Sequence, residues 1–258
     1  MFHRRADAHR LIHNPGVSEP AFTILVTGGA HGIGRQTVLG ARARGWRVRV
    51  LDIDSCPDGR VVDLSDAAAA EAAVHAEWGE HGPVDALVNN AAVVHRDSIL
   101  DTSPADFAKV VSLNLTGSFA CLRAFAQRCV GAGRPGQVVN VTSAHAVLAQ
   151  ANRSAYAATK AAMESLTRSA ATELGHYRIG VFALAPGYTR TEEGRTRLLG
   201  DRAAAAGRRV PLGRVIEAGE VAEAALDLAS NRYPAMTGQV LRMDGGWSAT
   251  DVRLEDLR

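Results

Sequence analysis

Short apolar runs alternate with Ala-rich amphipathic stretches along most of the chain. The runs are FTILVT (22–27), WRVRVLD (46–52), VDALVNN (84–90), QVVNVT (137–142), IGVFALA (179–185) and QVLRMD (239–244). Runs of this length, rich in Val, Ile and Phe, are the pattern of buried strands. Helical stretches fill the gaps near 33–44, 66–79, 104–130, 154–175 and 217–230. Strands joined by crossovers of that length form βαβ units, which build a parallel sheet covered on both faces. The expected fold is α/β: a doubly wound parallel sheet in a three-layer sandwich.

One segment breaks the alternation. Residues 191–215 are polar and Arg-rich, and a long insertion between a strand and a helix in a compact domain often serves as a lid. At the N-terminus, Pro15, Gly16 and Pro20 stop regular structure, so residues 1–21 read as a flexible arm. That arm is basic but lacks a continuous apolar core, unlike a secretory signal. Its three histidines, His3, His9 and His13, read as part of a solvated tail, and no metal site is expected. Residues 22–250 form a single domain without repeat or linker, followed by a short tail, 251–258.

Composition narrows the function classes. The 258 residues are 47% hydrophobic and 22% charged, as in ordinary globular proteins. A net charge of +2, from 29 basic and 27 acidic residues, gives no electrostatic case for nucleic acid or an anionic membrane surface. No apolar run approaches the roughly 20 residues of a spanning helix. Cys56, Cys121 and Cys129 are too scattered for a metal site, and reduced thiols in a cytoplasmic protein fit them.

The first strand runs into TGGAHGIGR, which carries Thr27, Gly28, His31, Gly32, Ile33 and Gly34. Glycines between a strand and a helix allow a tight turn and let backbone N–H groups approach a pyrophosphate at the helix N-terminus. The second strand ends at Asp52, 18 residues beyond Gly34. A carboxylate there accepts hydrogen bonds from both adenosine ribose hydroxyls and repels a 2′-phosphate, so the spacing favours NAD over NADP. His31, Arg35 and Arg49 are the local basic residues that would favour NADP. The sheet is therefore expected to be Rossmann-like.

Four further elements follow in order: NNAA (89–92), LNLTG with Asn114, VTS ending at Ser143, and SAYAATK with Tyr156 and Lys160. On a helix, residues four apart share a face, so Tyr156 and Lys160 lie within one turn of each other. A phenol is a poor base at neutral pH, and an adjacent ammonium with a positive nicotinamide ring is expected to lower its pKa. Ser143 ends a strand, where ligands meet open α/β sheets.

With TGGAHGIG ahead of them, these motifs resemble the short-chain dehydrogenase/reductase family over residues 22–247. The resemblance implies a catalytic set of Asn114, Ser143, Tyr156 and Lys160 and an oxidoreductase acting on an alcohol or ketone. Ser143 would hold the substrate oxygen, and Tyr156 would exchange a proton with it as hydride passes to or from the nicotinamide. Lys160 would bind the nicotinamide ribose, and Asn114 would kink its helix and hold a relay water; a purely structural, satisfied amide is the other reading of Asn114. Asp63 with Leu64 would meet the adenine, and Asn90 and Ala91 would border the cofactor. From PGYTRT, Pro186, Gly187, Thr189 and Thr191 would line the nicotinamide end, and DGG (244–246) also matches. Two positions depart from the pattern: Ala92 replaces a glycine, and GRVIEAGEVA lacks the usual glycine and proline after its arginine.

The resemblance puts Val94, His95, Arg96, His145, Gln150, Asn152 and Tyr188 beside the tetrad, with Arg96, Ser143, His145, Gln150 and Tyr188 as the substrate pocket. Such polar walls suit a sugar, cyclitol or hydroxy acid. The Ala/Arg-rich composition suggests a high-GC bacterial source and secondary metabolism. Two other functions stay open: an NADP(H)-dependent ketoreductase of a biosynthetic intermediate, and a non-enzymatic dinucleotide-binding regulator. Family members are usually homotetramers or homodimers, and helices 104–130 and 154–175 are apolar on more than one face.

Overall fold

The computed structural model describes residues 21–191 and 200–249. The expected N-terminal arm with its three histidines, the C-terminal tail and residues 192–199 of the lid lie outside the described residues. In chain order the strands are β1 (Thr23–Thr27), β2 (Arg47–Asp52), β3 (Gly59–Val61), β4 (Ala86–Asn89), β5 (Gly136–Val141), β6 (Ile179–Pro186), β7 (Thr189–Arg190), β8 (Ile216–Glu217) and β9 (Val240–Met243). The helices are α1 (Gly32–Ala43), α2 (Ala67–His81), α3 (Pro104–Val111), α4 (Ser118–Gly131), α5 (Ser154–Leu174), α6 (Gly200–Gly207) and α7 (Ala218–Ala229).

Seven strands form one sheet in the order β3-β2-β1-β4-β5-β6-β9, every neighbouring pair parallel. This is the expected Rossmann-like doubly wound α/β fold. Helices cover both faces, which is why central strands such as GQVVNV are buried at every position rather than alternating. On one face Val38 and Ala41 of α1 meet Val221 and Leu226 of α7. On the other, Val74 of α2, Phe125 of α4 and Ala170 of α5 pack on Leu87 and Val138. The strand order reverses between β1 and β4, and that switch opens a crevice beyond the strands' C-terminal ends.

Three departures from the sequence reading have physical causes. β3 escapes it because three residues on a sheet edge show no periodicity; Val61 is 60% exposed, and the strand is held by backbone pairing with β2 and by Arg60, which pairs with Glu77 and Glu80 of α2. The expected continuous helix over 104–130 is interrupted by a π-helical turn, Ser112–Gly117. Gly117 permits that turn to press on the loop between β3 and α2: a Cβ there would sit 2.0 Å from the Leu64 carbonyl oxygen. Within the lid, α6 forms and buries Ala203 and Ala206 against Val215, with Tyr188 packed on them. All three cysteines are free, and burial pushes the thiols of Cys121 and Cys129 up to about 12.

Candidate active site

The glycine loop is braced from below. Asn90 Nδ2 donates to the carbonyls of Thr27 (3.0 Å) and Gly28 (2.9 Å). Thr27 Oγ1 accepts from the N–H groups of Asn90 (3.0 Å) and Ala91 (3.1 Å), so its hydroxyl joins β1 to β4 and is used up within the chain. Gly28 and Gly32 take φ of 66° and 54°, a region that favours glycine. Gly34 answers a different need: a Cβ there would lie 2.0 Å from the Gly28 carbonyl oxygen. His31 is the N-cap of α1 without a side-chain capping bond, and the first turn holds no acid, which suits an anion at this helix end.

Asp52 closes the adenosine side. Its carboxylate accepts from the N–H groups of Ala30 (2.9 Å) and Asp54 (3.0 Å), and its residue is only 7% exposed. Asp54 lies 3.2 Å from His31 Nε2. Asp63 is exposed, and its carboxyl is held below the usual range chiefly by the backbone N–H of Ser65 at 2.9 Å. At the far end, Gly187 lets β6 approach Asp244, whose Cα would be 2.8 Å from an added Cβ. Thr189 donates to the Gly187 carbonyl (3.1 Å). Thr191 Oγ1 is buried without a hydrogen-bond partner and neighbours Gly32 of the glycine loop. A buried hydroxyl with nothing to bond is a binding atom awaiting its partner.

The reactive groups gather where β5 ends. Ser143 Oγ accepts from the His145 N–H (3.2 Å), and its hydroxyl is close enough to Tyr156 to favour the phenolate. Lys160 Nζ donates to the Val141 carbonyl (2.7 Å) and stands 5.6 Å from the Tyr156 ring centre. Asn114 makes three side-chain hydrogen bonds. Its side chain accepts from the Val93 N–H (2.8 Å) and donates to the Val93 carbonyl (2.9 Å) and to Thr159 Oγ1 (3.2 Å). Thr159 in turn donates to the carbonyl of Tyr156 (2.8 Å). The four expected catalytic side chains therefore share one neighbourhood, with Asn114 linked to Tyr156 through Thr159.

Within the protein alone, burial raises the Tyr156 pKa, and the neighbouring Ser143 hydroxyl and Arg153 offset this only in part. Burial also lowers Lys160, to about 8. The tyrosine ring keeps some open surface, yet its surroundings are apolar enough for desolvation to dominate.

The expected pocket residues are only partly assembled. His145 sits edge-on to Tyr156 and to Tyr188, with ring centres 6.3 and 6.5 Å apart. Its Nδ1 lies 3.3 Å from the Leu148 carbonyl. Gln150 is half-buried and Arg96 exposed. His95 pairs with Asp97 at 3.1 Å. Arg209 of the expected 191–215 lid also reaches this place, as do Trp247 and Arg153, which lie outside the expected pocket. Trp247 stacks on Tyr188 at 4.3 Å, and Arg209 Nη1 donates to the Tyr188 hydroxyl (3.1 Å). Arg153 stands three residues before Tyr156 in the sequence; the other two reach the site through tertiary folding.

Known proteins share this architecture. The family model described as enoyl-(acyl carrier protein) reductase matches residues 28–248. L-xylulose reductase of Mesocricetus auratus is 38% identical over 238 residues, covering 88% of this chain and 96% of the relative. Trans-4-hydroxycyclohexanecarboxylate dehydrogenase of Sinomonas cyclohexanicum is 34% identical over 197 residues, covering 76% of this chain and 72% of the relative. The crystal structure of a gluconate 5-dehydrogenase from Burkholderia cenocepacia, in complex with NADP and tartrate, superposes with a TM-score of 0.82 at 29% identity; the match covers 89% of this chain and 96% of that one. With its parallel sheet, glycine loop and motif order, the chain belongs to the short-chain dehydrogenase/reductase family and is an oxidoreductase acting on CH–OH groups.

Proposed function

We propose that the protein is an NAD(H)-dependent oxidoreductase that interconverts a secondary alcohol and its ketone on a polar cyclic substrate. The carrying observation is buried Lys160, 5.6 Å from the Tyr156 ring centre and anchored to the Val141 carbonyl, with Ser143 following the same strand β5. The dinucleotide fits the residues present. The glycine cradle excludes a Cβ at Gly34, Asp52 closes the adenosine side, and Thr191 holds an unused buried hydroxyl.

When bound, the dinucleotide supplies the hydride acceptor or donor. In the oxidation direction Tyr156 takes the proton from the substrate hydroxyl; in reduction it returns one to the carbonyl oxygen. Ser143 holds that oxygen and stabilises its partial charge by hydrogen bonding. Lys160, as ammonium, makes the neighbouring phenolate less costly and has N–H groups beyond the one spent on Val141. Asn114 holds the backbone of Val93 and the hydroxyl of Thr159 and so positions the start of α5, while the second lone pair of its Oδ1 stays available to a relay water.

NAD(H) is favoured because Asp52 stands at the end of β2 with Asp54 close by, and a 2′-phosphate beside two carboxylates is repelled. NADP(H) is the second reading, supported by the NADP in the Burkholderia cenocepacia structure and by His31 at this edge. The L-xylulose and hydroxycyclohexanecarboxylate activities of the relatives support a polar, cyclic or sugar-like substrate. We also read the protein as a cytoplasmic homotetramer or homodimer of bacterial secondary metabolism. Phe107 and Phe119, 40% and 44% exposed on α3 and α4, support self-association, which light scattering would test.

The deciding experiment is a panel of sugars, cyclitols, hydroxy acids and cyclic ketones with both cofactors, followed by NAD(P)H absorbance. Turnover in wild type and a loss of about 10²- to 10⁴-fold in Tyr156→Phe, with cofactor binding retained, is the expected result. Full turnover in Tyr156→Phe would remove the assignment. Asp52→Ala is expected to shift the cofactor preference toward NADP.

A further inference from the structure

Several groups that neither the proton transfer nor the dinucleotide uses converge around Tyr156. Tyr188 and Trp247 stack at 4.3 Å, and His145 meets the Trp247 ring edge-on at 5.4 Å. His145 also stands between that stack and Tyr156, 6.3 Å from the tyrosine ring centre. The Arg209 guanidinium lies over both rings of the stack, 6.0 Å from Tyr188 and 5.8 Å from Trp247. Arg153 is the N-cap of α5, three residues before Tyr156, and its side chain makes no capping bond.

Charge along this wall has one sign. Among the described residues, no carboxylate forms an ion pair with Arg96, Arg153 or Arg209. Arg209 spends one N–H on the Tyr188 hydroxyl and Arg153 one on the Asn152 carbonyl. Two nearby acids are committed elsewhere: Glu164 to Arg242, and Asp244 to the N–H groups of Gly246 and Ser248. Burial first, then the neighbouring Arg96, lowers the pKa of Arg153; burial first, with Arg153 and Arg209 adding to it, lowers His145. Guanidinium groups without a carboxylate partner beside this aromatic stack are relieved by an anion, and each planar fork matches a carboxylate.

We propose that Arg153 and Arg209 form a carboxylate-binding subsite with an aromatic floor of Tyr188 and Trp247. The substrate is then a cyclic hydroxy acid or keto acid whose carboxylate lies about one ring's width from the reacting carbon. The ring carbons pack on the aromatic floor, and the guanidinium groups hold the acid end while Tyr156 and Ser143 hold the reacting oxygen. This inference rests on the oxidoreductase reading above and narrows its substrate class.

The test uses the full chain with NAD and NADP. The panel contains 3- and 4-hydroxycyclohexanecarboxylate, their carboxamides, and cyclohexanediol monophosphates, each with the matching ketone. The acids are expected to exceed the carboxamides in kcat/KM by about 10- to 100-fold, mostly through KM, the size of one or two charge-assisted hydrogen bonds. In Arg153→Gln and Arg209→Gln that acid-to-amide ratio falls to within about threefold of one, and Arg209→Lys restores only part of it. A wild-type ratio near one, or a ratio untouched by both arginine changes, overturns the subsite while leaving the oxidoreductase reading standing. A phosphate preferred over the carboxylate by the same margin also overturns it. A second readout does not need turnover: with NAD present, cyclohexanecarboxylate should raise the melting temperature of wild type but not of Arg153→Gln/Arg209→Gln, and cyclohexanecarboxamide should raise neither. No turnover on any panel member, together with carboxylate-dependent stabilisation, counts against the oxidoreductase reading and supports the subsite. No turnover and no stabilisation counts against both.

Discussion

Asn114 grips the backbone of Val93 from both sides, accepting from its N–H at 2.8 Å and donating to its carbonyl at 2.9 Å. The same amide reaches Thr159, which bonds the carbonyl of Tyr156. The loop after β4, the π-helical turn and the start of α5 are therefore one hydrogen-bonded unit.

Asn114→Ala leaves these polar groups of Val93 and Thr159 without their partner. The expected cost is about 1–3 kcal/mol of stability, read from the midpoint of chemical denaturation. Turnover should fall as well, because Tyr156 loses its brace, while the affinity for the dinucleotide changes little.

Gly34→Ala places a methyl group 2.0 Å from the Gly28 carbonyl oxygen and 2.5 Å from Asn90 Nδ2. Neither the loop nor the amide that braces it can yield without losing the cradle. Dinucleotide binding, measured by calorimetry, should drop beyond detection even in preparations that remain folded by circular dichroism.

Lys160 supplies a pH-dependent signature. Its folded pKa of about 8 lies below the ordinary lysine value, so the unfolded chain binds the extra proton between about pH 8 and 10.5. Stability therefore rises with pH across that window, and the full cost of burying the ammonium is present below about pH 8. Lys160→Met removes the titration. The stability advantage of the variant over wild type should shrink by on the order of 2–3 kcal/mol between pH 7 and pH 10.5, as followed by denaturation at each pH. A pH-independent difference would place the lysine in a solvated setting. Activity should be lost throughout.

Glu164 and Arg242 tie α5 to β9 by two hydrogen bonds, 2.9 and 3.2 Å, with Glu164 only 5% exposed. Arg242→Met leaves a buried carboxylate unpaired and should cost about 3–5 kcal/mol. Replacing both partners together, Glu164→Leu with Arg242→Met, should recover most of that loss in thermal denaturation, because the penalty belongs to the orphaned charge.

The chain's own order of residues determined much of this protein. Six apolar runs with crossovers between them specified a parallel sheet, because a strand buried on both faces must be apolar throughout, as GQVVNV is. The glycine loop and the Tyr156/Lys160 spacing were legible because each depends on neighbours a few residues apart. Tertiary structure decided the rest. β3 is held by pairing with β2 and by the ion pairs of Arg60 with Glu77 and Glu80, and a three-residue edge strand leaves no periodicity to see. The π-helical turn exists because Gly117 meets Leu64, some fifty positions away. The direction of the Tyr156 shift came from burial, which local spacing does not report. The arginine and aromatic wall joins Arg153, Tyr188, Arg209 and Trp247 from four separate segments, and only folding brings their charges close enough to need an anion.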